Sequence, residues 1–415
     1  MVSLSEWRER VAAALDETLG FWERHSHDPE HGGFFSCLSR DGSVYDDTKY
    51  VWMQGRQIWV YSRLYRTFPR FRRPELLEAA RAAGEFLLRC ARLRPGSPRV
   101  AFALSRAGTP LRLQRAPYSE LFCAMGLDEL GRATGEARYR AEARQWVLAV
   151  WGWVRGAPQE WGPPRVPGCP PRQSFGVPMM LLALGLQLLE GGGGDPQIEA
   201  VAEWGAQRLL LHLQRGDQVV LENVSPEGQE LGGSEGRLMN PGHALEGGWL
   251  LLQFCARRGA GAPGAPGALG ALGALGARAV AALVERPLQW GWDPQHGGLF
   301  AFLDADGLCP TQLEWPMKLW WPHAEAMVAL LAAQRFEPRP RLLRQFQRVG
   351  TFLFDKFRDP EHGEWFGYLT REGNVALTIK GGPYKGCFHM ARALMMCEEL
   401  LGELLERGDT LDPPQ

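Results

Sequence analysis

A chain of 415 residues with 46 basic and 47 acidic side chains has a formal net charge of −1, which leaves no positive field to hold a nucleic acid or an anionic membrane. No apolar stretch reaches the roughly 18 residues that a membrane span needs, and the amphipathic opening, from Met1 to Arg24, lacks the apolar core of a secretion signal. The eight cysteines stand singly, without CxxC or His/Cys zinc spacing, so a reduced, cytoplasmic protein with no metal site is expected.

Residues 5–24 have helical apolar periodicity. The helix ends before Asp28-Pro29, because a residue preceding proline avoids the α region. A glycine bend follows at His31-Gly32-Gly33, then an alternating apolar run, then a hairpin turn at Asp41-Gly42. The same pattern returns at Asp293-Pro-Gln-His-Gly-Gly and at Asp359-Pro-Glu-His-Gly-Glu. Each copy is followed by an apolar helix carrying one conspicuous polar residue: Arg56, Glu325 or His389. Weaker hairpins fall at residues 102–108 and 219–228, and a Pro-rich loop at 164–173 stands where another would be.

Helices are predicted over residues 51–68, 74–90, 119–134, 138–154, 177–189, 196–213, 243–255, 277–288, 318–334, 341–357 and 384–404. The low-complexity tract 259–276 is expected to be a flexible loop, because each glycine costs ~1 kcal/mol relative to alanine in a helix. The tail 409–415 is expected to fray. Six units of outer helix, hairpin or loop, and inner helix result. One such unit cannot bury its own apolar face, so the units have to close on one another. The predicted fold is a single all-α domain over 1–415: an (α/α)6 barrel, or toroid, with short β-hairpins at its mouth.

Inner helices line the ring, so a polar residue on one of them meets either packed core or a cavity. Trp52 and Arg56 share a helical face, as do His243, Glu246 and Trp249, Trp321 and Glu325, and His389 and Arg392. Each set lies near the start of its helix, so closure brings all of them to one mouth. A single histidine on such a helix is more often a satisfied core residue than a catalyst. Two His, two Glu and one or two Arg at matching places are harder to dismiss, since unpaired buried charge is costly. His323 is a secondary candidate, while His25, His27, His31, His296 and His362 read as turn residues. HExxH and GxxxxGK[ST] are absent.

Two imidazoles across a cavity suit removal of a proton from one face of a carbon and its return to the other, since an ordinary pKa of ~6.5 puts both protonation states in reach. A proton α to a carbonyl is acidic enough only if the enediolate is stabilised, by Arg56, Arg392 or a hydrogen-bonded Glu. Glu246 or Glu325 would orient a histidine. That is the logic of a two-base epimerase.

Four stretches carry a resemblance: Lys49 to Gln57, Asn240 to Glu246, Gln312 to Glu325 and Ile379 to His389. With them the chain closely resembles the N-acylglucosamine 2-epimerase family along nearly its whole length. The resemblance implies an (α/α)6 barrel that interconverts N-acetylglucosamine and N-acetylmannosamine through the open-chain sugar. It implies His243 and His389 as the catalytic histidines, Arg56 as the essential arginine and Glu246 and Glu325 as acidic partners. Tyr118, Trp249, Trp321 and Arg392 fall at positions implied to bind sugar. It further implies a homodimer, renin as a partner, and no consumed cofactor, with ATP or another nucleotide acting as an allosteric activator. Two other readings compete: a glycoside hydrolase on the same toroid, with carboxylates drawn from Glu120, Glu246 and Glu325, and a non-enzymatic binding protein.

Overall fold

The computed structural model describes residues 2–156, 168, 170–192, 194–260 and 266–411. Helices α1 (Leu4–His25), α2 (Val51–Thr67), α3 (Pro74–Cys90), α4 (Tyr118–Thr134), α5 (Ala137–Arg155), α6 (Gly176–Leu188) and α7 (Pro196–Leu210) are followed by one turn, α8 (Gly233–Gly236). Then come α9 (Pro241–Ala260), α10 (Pro266–Ala279), α11 (Arg286–Gly291), α12 (Trp320–Phe336), α13 (Pro340–Phe357) and α14 (Phe388–Glu406). A π-helical stretch, Val280–Glu285, joins α10 to α11.

The apolar pattern sorts these helices into two layers. Helix α13 buries Leu342, Leu343, Phe346, Val349, Gly350, Leu353, Phe354 and Phe357, a single stripe of the kind that seats a helix against one neighbour layer. Helix α12 buries every residue from Pro322 to Gln334, as a helix covered on all sides does. Helices α2, α4, α6, α9, α12 and α14 pack in sequence, and α14 returns to α2, closing an inner ring. The outer helices lie against them, and α1 packs on α14, so the first and last units meet. This is the (α/α)6 barrel expected from the repeats.

Short antiparallel strands cap one end. The two residues before an inner helix pair with the hairpin of the next unit: Lys49–Tyr50 with Ala103–Leu104, Gln173–Ser174 with Asn223–Val224, Leu238–Met239 with Leu303–Asp304, and Lys318–Leu319 with Tyr368–Leu369. The hairpins therefore join neighbouring units at the N-terminal ends of the inner helices, which is the mouth.

The Asp-Pro motifs do more than end helices. Each aspartate accepts backbone N–H groups of its own turn and pairs with a buried lysine: Asp28 with Lys49, Asp293 with Lys318, Asp359 with Lys380. An arginine from the following unit completes each pair: Arg106 on Asp28, Arg371 on Asp293, and Arg40 of the first unit on Asp359 of the last. In the bend after them Gly33 and Gly298 have φ of 79° and 76°, the left-handed region that favours glycine. The third copy places Glu364 there at φ 55°, and its carboxylate takes Lys385 Nζ at 2.7 Å and Trp22 Nε1–H at 3.0 Å.

Two expectations differ from the structure. The tract 259–276, expected as a loop, is helical over Pro266–Ala279. Gly276 explains part of this: a Cβ there would lie 2.0 Å from the Phe336 ring, so glycine allows the helix to settle on α12. The last inner helix begins at Phe388, and Tyr384, expected inside it, stands exposed at the rim against Trp52. Half of the Pro-rich loop 164–173 and residues 412–415 of the tail lie outside the described residues.

Candidate active site

His243 is the third residue of α9 and His389 the second of α14, so both imidazoles sit where inner helices open onto the mouth. The Trp321 indole lies between them, 5.2 Å from the His243 ring and 5.5 Å from the His389 ring. The two imidazole centroids are therefore no further apart than the sum of those lengths. Gly242 makes this possible, since a Cβ there would meet Trp321 at 2.4 Å. The side chains of His243 and His389 keep 28% and 12% exposure.

Each histidine has its own carboxylate. The His389 Nδ1–H donates to Glu325 Oε1 at 2.8 Å, and the His243 Nδ1–H donates to Glu222 at 3.0 Å. Both rings are thereby left with Nε2 for a bound molecule. Asn240 caps α9 by accepting the His243 backbone N–H at 3.2 Å, and Phe175 stacks on the His243 ring with an interplanar angle of 10°.

The surroundings drive the two histidines apart. At His243, burial opposes the imidazolium, but the charge and hydrogen bond of Glu222, aided by Glu246 and Glu325, outweigh it and raise the pKa. At His389, burial and then the positive charges of Arg56 and Arg392 push the pKa well below the ordinary histidine value. The surroundings thus favour the charged form of His243 and the neutral form of His389, the kind of separation that assigns acid and base roles.

Arg392 links the acids. Its Nη2 donates to Glu246 Oε1 at 2.8 Å and also to Glu325 Oε1, while Trp249 Nε1–H donates to Glu325 Oε2 at 2.9 Å. Among the described residues Arg56 has no such partner. Its guanidinium stacks among Trp52, Phe122 and Phe388 at 4.7, 4.2 and 5.6 Å, and its buried Nε–H lacks an acceptor. Tyr118 completes this end of the ring: its hydroxyl lies over Gly176, and burial, then the charge of Glu222, raise its pKa and keep it a phenol.

All nine residues predicted for the site therefore meet at one end of the barrel, but several act differently than expected. Glu325 orients a histidine, as one of two options foresaw, whereas Glu246 turns to Arg392. Trp249 and Arg392, expected to bind sugar, are buried, and the Trp249 N–H and the Arg392 Nη2 are turned to the acids. His323 is a satisfied core residue: it accepts the Leu299 N–H at 2.8 Å, donates to Leu319 O at 2.6 Å and stacks on Phe352. Burial takes its pKa down to about 3. His27, read as a turn residue, bonds the Tyr61 hydroxyl at 3.0 Å. Sequence reasoning missed Glu222, Asn240 and Phe175. Glu222 had a signal, an acid interrupting the apolar run Val219-Val-Leu-Glu-Asn-Val.

The profile of the N-acylglucosamine 2-epimerase (GlcNAc 2-epimerase) family matches residues 32–152 and 216–393. The N-acylglucosamine 2-epimerase of Bos taurus is 54% identical over 409 residues, covering 98% of this chain and 93% of that protein. The Homo sapiens protein of the same name is 52% identical over 409 residues, covering 98% and 92%. The solved cellobiose 2-epimerase of Spirochaeta thermophila superposes with a TM-score of 0.79 at 24% identity, over 97% of this chain and 98% of that one, which bears on the fold alone. The chain belongs to the N-acylglucosamine 2-epimerase family.

Proposed function

We propose that this protein is an isomerase that inverts C2 of N-acylated 2-amino sugars, interconverting N-acetylglucosamine and N-acetylmannosamine. The observation that carries this reading is the pair of histidines against Trp321, each with its own carboxylate, one in surroundings that favour the imidazolium and one in surroundings that favour the neutral ring. The sugar reacts in its open-chain form, because only a free C1 carbonyl makes the C2 proton acidic. Neutral His389 removes that proton with its Nε2 lone pair, and the C2–H electrons move onto O1. Because C2 of an amino sugar bears nitrogen, the intermediate is an enolate at O1 rather than the enediolate expected above. Arg56, which pairs with no carboxylate among the described residues, stabilises the oxyanion. The His243 imidazolium then delivers its Nε2 proton to the opposite face of C2.

The hydrolase reading requires two carboxylates free to flank a glycosidic bond. Glu246 and Glu325 share Arg392, while Glu120 is buried and accepts the Val100 N–H at 3.1 Å. None of the three is placed for that chemistry. An activating nucleotide, a homodimer, renin as a partner and a cytoplasmic location extend the proposal and rest on family membership alone.

The test is epimerisation in D2O. His243→Ala and His389→Ala should each lower turnover ~10²–10⁴-fold, the usual contribution of a general acid or base. In the wild type, product should carry solvent deuterium at C2. Near-normal epimerisation by either variant would overturn the two-histidine mechanism.

A further inference from the structure

We propose that Glu222 is a positioning residue that parks a proton on His243 in the free enzyme, and so sets the alkaline limit of activity. The proposal rests on the two-histidine reading above and adds to it the group that decides where the resting proton sits.

The geometry isolates Glu222 as that group. Both of its carboxylate oxygens lie 3.0–3.1 Å from His243 Nδ1. Its backbone is clamped on both sides: the Glu222 N–H donates to Leu238 O at 2.8 Å, and Glu222 O accepts the Phe175 N–H at 2.9 Å. Buried His212 steadies the preceding residue by donating to Leu221 O at 2.7 Å. The carboxylate is thus delivered by the segment between the strands Val219–Val220 and Asn223–Val224, held by its own backbone bonds.

The other charged groups around His243 are already committed. Glu246, on the same helix, pairs with Arg392 of α14. Glu325, on α12, is shared between His389 and Arg392. Arg56 of α2 and His389 of α14 bring no negative charge, and the Tyr118 phenol of α4 is neutral. A guanidinium thus offsets Glu325 beside His389. Among the described residues the ion pair of Glu222 is with His243, and no arginine or lysine shares it. The two His–Glu pairs look alike but differ in this cation, which lets one carboxylate hold an imidazolium while the other orients a neutral ring.

The kinetic consequence is specific. In one direction catalysis needs His389 neutral and His243 protonated, and in the other the reverse. Both forms carry one proton between the two rings, so kcat/KM in both directions falls along a common alkaline limb when that proton is lost. Glu222→Gln keeps the size and the hydrogen-bond acceptor but removes the charge.

The experiment is the pH profile of kcat/KM in both directions for the full chain, its Glu222→Gln and Glu222→Asp variants, and His243→Ala, with thermal unfolding to check folding. Glu222→Gln should move the alkaline limb to lower pH in both directions, with activity falling about tenfold per pH unit beyond it. On the acid side it should return toward the wild-type value. Glu222→Asp, which keeps the charge, should move the limb less. A loss of equal size at every pH, with the limb unmoved, would show that Glu222 only shapes the site. If His243→Ala stays active, the two-histidine reading itself fails. If His243→Ala is inactive and the limb does not move, only the role of Glu222 fails. Independently of any variant, NMR titration of His243 in the wild type should give a pKa above the ordinary 6.5, and a lower value would overturn the proposal.

Discussion

Arg56 and His323 are both polar residues on apolar inner helices, yet only one faces the cavity. Successive helical residues are set about 100° apart, so His323 and Glu325 point in nearly opposite directions from α12. His323 therefore meets Phe352 of the outer layer and finds backbone partners, while Glu325 meets His389. Arg56 is the reverse case, a cation that among the described residues finds aromatic faces but no acid. Burial draws its pKa down to about 9, still above neutral, so it remains charged. Replacing it with glutamine should lower kcat ~10²–10³-fold, as loss of an oxyanion donor does. The same substitution removes an unpaired buried charge, so the melting temperature should hold or rise. A parallel fall in stability and activity would mean that the arginine is structural.

At the level of helices, packing distance decides which substitutions matter. A Cβ at Gly55 of α2 would stand 2.1 Å from Phe122 O, and one at Gly126 of α4 would stand 2.5 Å from Gly55 O. These two glycines let the backbones of α2 and α4 approach closely, which seats Arg56 beside Phe122. Gly55→Ala should therefore cost ~1–3 kcal/mol or more from overpacking, seen as a lower denaturant midpoint. Gly152 on outer helix α5 has nothing within 4 Å of its missing Cβ. Gly152→Ala should stabilise by ~0.4–1 kcal/mol, because it only narrows the unfolded ensemble. Equal effects at the two sites would contradict the close approach.

Over the whole molecule, the ring is held by repetition and closed by its ends. Arg40 to Asp359, Arg358 to Glu17, Trp22 to Glu364 and Trp365 to Thr18 all join the first unit to the last. Asp359 is fully buried with Lys380, so Asp359→Ala leaves a lysine without its partner and should cost ~3–5 kcal/mol. The three motif aspartates also set a pH dependence. Despite burial, their arginine and lysine partners hold Asp28, Asp293 and Asp359 well below the ordinary 3.8. A depressed carboxyl stabilises fully above its unfolded value and loses that contribution as pH falls toward the folded one. Melting temperature should therefore begin to drop below about pH 4, and Asp359→Ala should flatten that drop. Melts recorded from neutral pH into acid, for wild type and variant, would test both.

Much of this was legible in the amino-acid sequence, because it follows from local pattern. The repeated Asp-Pro-x-His-Gly bends, the one-face and all-round apolar helices and the polar residues at helix starts are spaced within a few residues of each other, and together they specify a toroid and nominate its site. What the sequence could not decide was pairing. Glu246 sits three residues from His243 and shares its face, yet it turns to Arg392. The partner of His243 instead comes from a hairpin segment 21 residues earlier, and that of His389 from a helix 64 residues earlier. The Gly/Ala tract shows the same limit, since intrinsic propensity argued against a helix that packing against Phe336 favours. Local spacing determines which side chains reach the mouth. Only closure of the ring brings distant helices and hairpins close enough to decide which acid meets which histidine, and so which of the two holds the proton.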